Sequence, residues 1–266
     1  MVKPFAIITG GAQGIGASIA RRFLEGGLRV AIVDLEEQVE SEPCSALMAE
    51  FADVSYFASD LSTSTFLDPL GVDLASWASQ AGELTIGTLV NNAAVRVRGG
   101  FREETIDSWD QTLSVGLRAA FFLSRAVAPM MLPGSTIVNV GSIAGRTVAD
   151  ESPSYHASKA GLEHLTRYLA VNLGSRSIRV NCILPGFIVQ DRHKKRFQAE
   201  NNTEFRATVA RCLPGGEPGD ETAIAQLAWF LSTREASFVS GASIVLDGAG
   251  SVRDQFALVL GQQGNR

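Results

Sequence analysis

Cysteine is scarce in this chain: among 266 residues there are three, Cys44, Cys182 and Cys212, with no second thiol at metal or redox spacing. Neither a disulfide scaffold nor a thiolate zinc site is supported, and a reducing, cytoplasmic setting fits best. Histidine is equally sparse. His156, His164 and His193 do not combine with carboxylates into a ligand set, so no metal is assigned. Positive charge is in short supply too, with 23 Lys and Arg against 28 Asp and Glu and a formal net charge of −5. That balance argues against a nucleic-acid or anionic-membrane partner. No unbroken run of about 18 apolar residues occurs, so a membrane span is not expected. Met1-Val2-Lys3-Pro4 leads straight into a strand pattern without a small-residue cleavage site, so secretion is not expected either.

Apolar side chains are plentiful, at 45% hydrophobic against 19% charged, enough for one large core. Short apolar runs alternate with longer stretches of helical spacing, the pattern of βα units around a parallel sheet. Strands are predicted at Phe5 to Thr9, Arg29 to Val33, Val54 to Ala58, Thr88 to Asn91, Ser135 to Val140, Arg179 to Leu184 and Ser243 to Leu246. The clearest helices fall at 16–26, 65–80, 107–130, 154–173 and 220–232. Pro133-Gly134, Pro185-Gly186 and Pro214-Gly215-Gly216 read as loops. The stretch 187–215 is too long for an ordinary connection and carries Phe197 and Phe205, which suggests an inserted helical lid over a single domain spanning 1–250. The tail 251–266 holds an apolar patch, Phe256 to Leu260, that is expected to pack on the domain or on a neighbouring subunit.

Two motifs carry chemistry. Thr9-Gly10-Gly11-Ala12-Gln13-Gly14-Ile15-Gly16 follows a strand and opens a helix. Such glycines let backbone N–H groups approach a pyrophosphate at the positive end of the helix dipole. Asp34 ends the second strand eighteen residues after Gly16, where a carboxylate can accept hydrogen bonds from ribose hydroxyls. A carboxylate there repels a 2′-phosphate and Leu35 offers no compensating cation, so NAD is expected rather than NADP. The second motif is Tyr155-His156-Ala157-Ser158-Lys159, preceded by Gly141-Ser142. Positions i and i+4 share a helix face, so the Lys159 ammonium can lie beside the Tyr155 phenol and favour its phenolate. Such a tyrosine can trade protons with an alcohol or ketone oxygen that Ser142 holds from a second direction.

Together these motifs resemble the classical short-chain dehydrogenase/reductase family, and the similarity covers residues 5 to about 250. Further matches are Asp60-Leu61, Asn91-Asn92-Ala93-Ala94, Pro185-Gly186, Asp247-Gly248 and the thirteen-residue interval from Ser142 to Tyr155. The resemblance implies a single-domain Rossmann fold, a doubly wound, mostly parallel seven-stranded sheet with helices on both faces. It implies catalysis by Ser142, Tyr155 and Lys159, with Asp60 and Leu61 flanking the adenine and Asn92 and Ala93 beside a ribose. The Ile188 backbone would meet the nicotinamide carboxamide, and Lys159 would also bind the nicotinamide ribose. Dimers or tetramers built from the long helices and the last strand are implied as well, and a homotetramer is expected.

Two positions depart from the family pattern. Gly116 stands where an asparagine usually shapes a helix kink and holds a water leading from the lysine, and Gln190 stands where threonine is common. Proton exchange is expected to survive with water in place of the missing amide. Arg96, Arg98 and Arg146 lie in loops at the carboxyl ends of strands, where a carboxylate or phosphate could be received, and Phe187 opens the lid beside them. The run Arg192-His193-Lys194-Lys195-Arg196 reads as a solvated helix face. The expected activity is hydride transfer between NAD and a small secondary alcohol or ketone that can be anionic. The alternatives are a 3-oxoacyl thioester reductase and a cofactor-binding regulator or scaffold with little turnover.

Overall fold

The computed structural model describes residues 4–79, 86–97 and 99–254. Seven strands, β1 (Phe5–Thr9), β2 (Arg29–Asp34), β3 (Val54–Ala58), β4 (Ile86–Asn91), β5 (Met131–Val140), β6 (Arg179–Pro185) and β7 (Ser243–Leu246), form one sheet in the order β3-β2-β1-β4-β5-β6-β7. Every pairing is parallel, with Ile7 opposite Ala31 on one side and Leu89 on the other. The chain reverses its direction of travel between β1 and β4, the switch point at which a ligand crevice opens beyond the strand ends.

Alternation along the strands divides the core into two layers. Ala6 and Ile8 of β1 face α1 (Gly14–Glu25), α2 (Glu42–Glu50) and α9 (Glu221–Ser232), where Ile19, Phe23, Leu47, Ile224 and Leu231 are buried. Phe5 and Ile7 face the opposite layer, containing α3 (Leu67–Ser79), α5 (Ala119–Val127) and α6 (Pro153–Leu173), with Leu70, Leu74, Leu123 and Leu169 buried there. Because both faces are covered, the central strands carry Val, Ile and Leu almost without interruption.

The helix expected at 107–130 is interrupted. α4 (Ile106–Leu113) passes into a π-helical turn over Ser114–Arg118 before α5 begins. Thr105 caps α4 by accepting from the Ser108 N–H at 3.1 Å. The continuous segment Ile106–Met130 is the one described helix long and apolar enough to cross a bilayer by length and composition, but Ala119, Leu123 and Val127 commit one of its faces to the core. After β6 the stretch expected to form a lid makes two helices, α7 (Asp191–Gln198) and α8 (Thr203–Cys212). The patch Phe256 to Leu260 and Arg98 lie outside the described residues.

Candidate active site

The glycine loop joins β1 to α1 at the switch point, and its close packing demands the missing side chains. A Cβ on Gly16 would collide with the Gly10 carbonyl, and Gly14 has a φ of +54°, in the left-handed region where glycine is favoured. Asn92, at the end of β4, holds the loop from the other side: its Nδ2 donates to the carbonyls of Thr9 at 3.0 Å and Gly10 at 2.9 Å. Thr9 Oγ1 in turn accepts from the N–H groups of Asn92 at 3.0 Å and Ala93 at 3.1 Å. The side chain of Asn92 therefore works as a clamp between the two strands that frame the crevice. Ile15 packs against the core behind the loop and anchors α1, whose amino end has no side-chain cap.

A cleft of about 600 Å³ opens beside this loop, lined by Gly10, Asp34, Leu35, Asp60, Leu61 and Ala93 among others. Asp34 accepts from the Ala12 N–H at 3.0 Å through one carboxylate oxygen and from the Leu35 N–H at 2.9 Å through the other. Each oxygen keeps a lone pair for a further donor. Burial raises the Asp34 pKa above the ordinary carboxylate value and the charge of Glu37 adds to the rise, while both backbone hydrogen bonds oppose it. Asp60 turns its carboxylate to the Ser62 N–H at 2.9 Å, which fixes the loop that brings buried Leu61 to the cleft wall. The acceptor pair at the end of β2, the apolar wall and a helix amino terminus without a side-chain cap fit an adenine dinucleotide.

The residues expected to be catalytic, Ser142, Tyr155 and Lys159, follow the carboxyl end of β5. Ser142 caps the short turn Ile143–Gly145, its Oγ accepting from Ala144 N at 3.1 Å. That turn lies tight on α6: a Cβ on Gly145 would sit 2.9 Å from the backbone at Lys159 and Ala160. Tyr155 occupies the first turn of α6, where Pro153 stands near the start, Ser152 Oγ accepts from Tyr155 N at 3.3 Å and Glu104 accepts from Ser154 N at 3.0 Å. One turn on, Lys159 is buried and donates from Nζ to the Val140 carbonyl at 2.8 Å, with its ammonium 5.6 Å from the centre of the Tyr155 ring. Arg96 lies over the same ring at 5.5 Å and is paired with Glu151, closing the rim of the site.

Arg146 is occupied elsewhere. Its guanidinium makes hydrogen bonds of 2.6, 3.0 and 3.2 Å to the Glu163 carboxylate, which Arg167 also approaches. The Arg146 hydrogen bond holds Glu163 below the ordinary carboxylate range despite its burial. Phe187 stacks into a three-ring group with Phe197 and Phe205, with centroids 5.9 to 6.4 Å apart, at the base of the lid. The start of the lid is fixed by Ile188, which bridges to Gly219 while Val189 N donates to the Gly219 carbonyl at 2.9 Å. Pro185 is the last residue of β6, and Gly186 admits Asp247, whose Cβ would be blocked by any side chain there.

A buried amide relay beneath the site escapes sequence reasoning. Asn91 Nδ2 donates to Asn139 Oδ1 at 2.8 Å and Ser124 Oγ at 3.2 Å, and Asn139 Nδ2 donates to Thr166 Oγ1 at 2.9 Å, tying β4, β5, α5 and α6 together. Asn91 falls inside a legible motif, but its partners lie 33 and 48 residues away, with no local signal to join them. Among the described residues no group of three or more His, Cys, Asp or Glu side chains is placed to hold a metal.

The family model described as Enoyl-(Acyl carrier protein) reductase matches residues 10–250. The chain is a short-chain dehydrogenase/reductase. It is similar to "Probable galactose dehydrogenase GalD" of Rhizobium meliloti (strain 1021), with 34% identity over 247 residues, covering 91% of this chain and 93% of that one. Among solved structures it is similar to 4-hydroxyisoleucine dehydrogenase complexed with NADH, at 26% identity and a TM-score of 0.83, covering 95% of this chain and all of the other. A short-chain dehydrogenase from Burkholderia cenocepacia J2315 in complex with NADP matches at 29% identity and a TM-score of 0.80, covering 94% and 99% of the two chains. As a short-chain dehydrogenase/reductase the protein is an NAD(P)-dependent oxidoreductase of alcohols and carbonyls. Bound nicotinamide supplies or accepts the hydride in that chemistry.

Proposed function

We propose that this enzyme is an NAD-dependent dehydrogenase of a small secondary alcohol, run in either direction with Tyr155 as the proton-transferring group. The preference for NAD rests on the end of β2. Asp34 and Glu37 both line the adenosine cleft, and its described lining includes no Lys or Arg to receive a 2′-phosphate. The proton chemistry rests on Tyr155, Ser142 and Lys159. In oxidation the Tyr155 phenolate takes the alcohol proton, Ser142 donates to the reacting oxygen, and the Lys159 ammonium keeps negative charge favourable beside the ring. Reduction reverses the proton's path.

The mouth of the site supports a substrate with polar groups beyond the reacting carbon. Arg96 and Glu151 stand at the rim by Tyr155, and the Phe187 group supplies an apolar wall from the lid. A hydroxylated substrate, with a carboxylate where Arg96 can exchange partners, suits both. The working unit is proposed as a homotetramer or homodimer in the cytoplasm. Exposed Tyr168 and Val171 on α6, Ile106 and Trp109 on α4 and Phe238 before β7 support self-association, and the unbridged cysteines suit a reducing compartment.

Fluorescence titration with NADH and NADPH tests the cofactor choice. NADH is expected to bind at least tenfold more tightly, about 1.4 kcal/mol, and Asp34→Ser with Leu35→Arg is expected to narrow or reverse the gap. Equal affinities in the native chain would overturn the NAD assignment.

A further inference from the structure

In the basic run on α7, Lys194 pairs with Asp191 on its own helix, whereas Arg192 reaches another element. Arg192 reaches from the lid to the glycine loop, its guanidinium Nη1 donating to Oε1 of Gln13. Gln13 is the residue before α1, and its side chain caps none of the N–H groups at that helix end. Two residues before Arg192, Gln190 lays its amide against Gly14. Its Oε1 is buried without a hydrogen-bond partner and lies 2.5 Å from where a Cβ on Gly14 would sit.

This part of the lid is held in place by contacts of its own. Asp191 N donates to Glu221 Oε1 on α9 at 2.9 Å, and His193 N donates to the Gln190 carbonyl at 2.7 Å. Arg192 is thus presented at the loop by a pinned helix start. Of the neighbouring charges on the lid, Lys194 is already paired with Asp191, while the first turn of α1 has no acidic residue and the described lining of the adenosine cleft includes no Lys or Arg. A guanidinium beside a helix amino terminus that no side chain caps suits an anion with several acceptor oxygens, and the Gln190 amide beside it has N–H groups to add once it flips.

We propose that Arg192 is a ligand of the cofactor's diphosphate, and that its exchange of Gln13 for phosphate oxygens ties the lid to the bound dinucleotide. The inference rests on the nicotinamide-dinucleotide reading of the site. In this arrangement the Gln190 amide flips, presenting its N–H groups to the same anion and moving its oxygen out of the unpartnered position. The lid would then be closed by the cofactor's phosphates as well as by substrate, and the neighbouring Lys194, Lys195 and Arg196 would report that closure.

The test compares ADP-ribose, NADH and adenosine binding to the full chain, to Arg192→Met and to Arg192→Lys by calorimetry and competition. The methionine variant is expected to bind ADP-ribose and NADH about tenfold more weakly, with a shallower salt dependence and unchanged adenosine affinity. The lysine variant should recover part of the loss. Limited trypsin digestion at Lys194, Lys195 and Arg196 should be slowed by ADP-ribose in the native chain and not in Arg192→Met. Native-like ADP-ribose affinity in Arg192→Met, or an equal loss for adenosine, would overturn the diphosphate role while leaving the cofactor reading intact. Failure of the native chain to bind NADH and ADP-ribose would overturn the cofactor reading itself.

Discussion

Asp34 and Glu163 are carboxylates pushed in opposite directions by their surroundings. Burial raises Asp34, so its proton is gained at a higher pH than usual, and the ionised form proposed to bind the ribose is lost early on acidification. NADH affinity should therefore weaken as pH falls toward and through a raised carboxyl value, and Asp34→Asn should flatten that dependence; a pH series of fluorescence titrations measures it. Glu163 is held low by its Arg146 hydrogen bond. Its contribution to stability is complete above the ordinary carboxyl value and is lost as pH falls through the lower folded value. Urea midpoints of the native chain should drop across that acidic window, and Glu163→Gln should be less stable at neutral pH with a weaker acid dependence. Tyr155→Phe removes the oxygen proposed to transfer the proton and should lower turnover by about 10²- to 10⁴-fold while NADH still binds, as stopped-flow and equilibrium titration would show.

Among the elements, the π turn at Ser114–Arg118 explains the glycine at its centre. Gly116 is buried against α6, and a Cβ there would collide with Ser158 Oγ, the neighbour of Lys159. The usual asparagine cannot be added without moving Ser158. Gly116→Ala should destabilise by about 1–3 kcal/mol through overpacking, despite alanine's better helix propensity. Gly116→Ala with Ser158→Ala should recover most of that loss in thermal melts, since the colliding atom is gone. The turn shows where local reading stops. Val- and Ile-rich runs marked the central strands because both faces of the sheet are covered, and Pro153 marked the start of α6. The helix Glu42–Glu50 was not legible, because among its residues Cys44 and Leu47 alone are buried and they give too thin an apolar stripe. β5 starts at Met131, before the Pro133-Gly134 signal that reads as a loop, because Met131 pairs with Ile86 across a shift in register. Tyr155 and Lys159 were readable because their partnership spans four residues; Arg192 and Gln13 are 179 residues apart, and no local pattern connects them.

At the scale of the whole molecule, composition was a coarse guide. A net charge of −5 is spread so that carboxylates line the adenosine end of the crevice while arginines from the lid and loops approach its other parts. Light scattering coupled to size exclusion should give about four times, or about twice, the 28.3 kDa of one chain. A monomer at micromolar concentration would leave the apolar faces of α4 and α6 without the role proposed for them.

The all-parallel sheet also governs how the chain reaches this state. Parallel neighbours cannot be joined by a tight hairpin, so each pairing must close a long loop, and β1 meets β4 only after some 80 intervening residues, as Ile7 opposite Leu89 shows. Such a topology folds slowly for its size, because the entropy of closure is spent before most contacts form. The glycine loop and Asn92 belong to opposite sides of that late closure. On refolding, recovery of NADH fluorescence enhancement should accordingly follow the slowest phase of the far-ultraviolet signal, not the fastest.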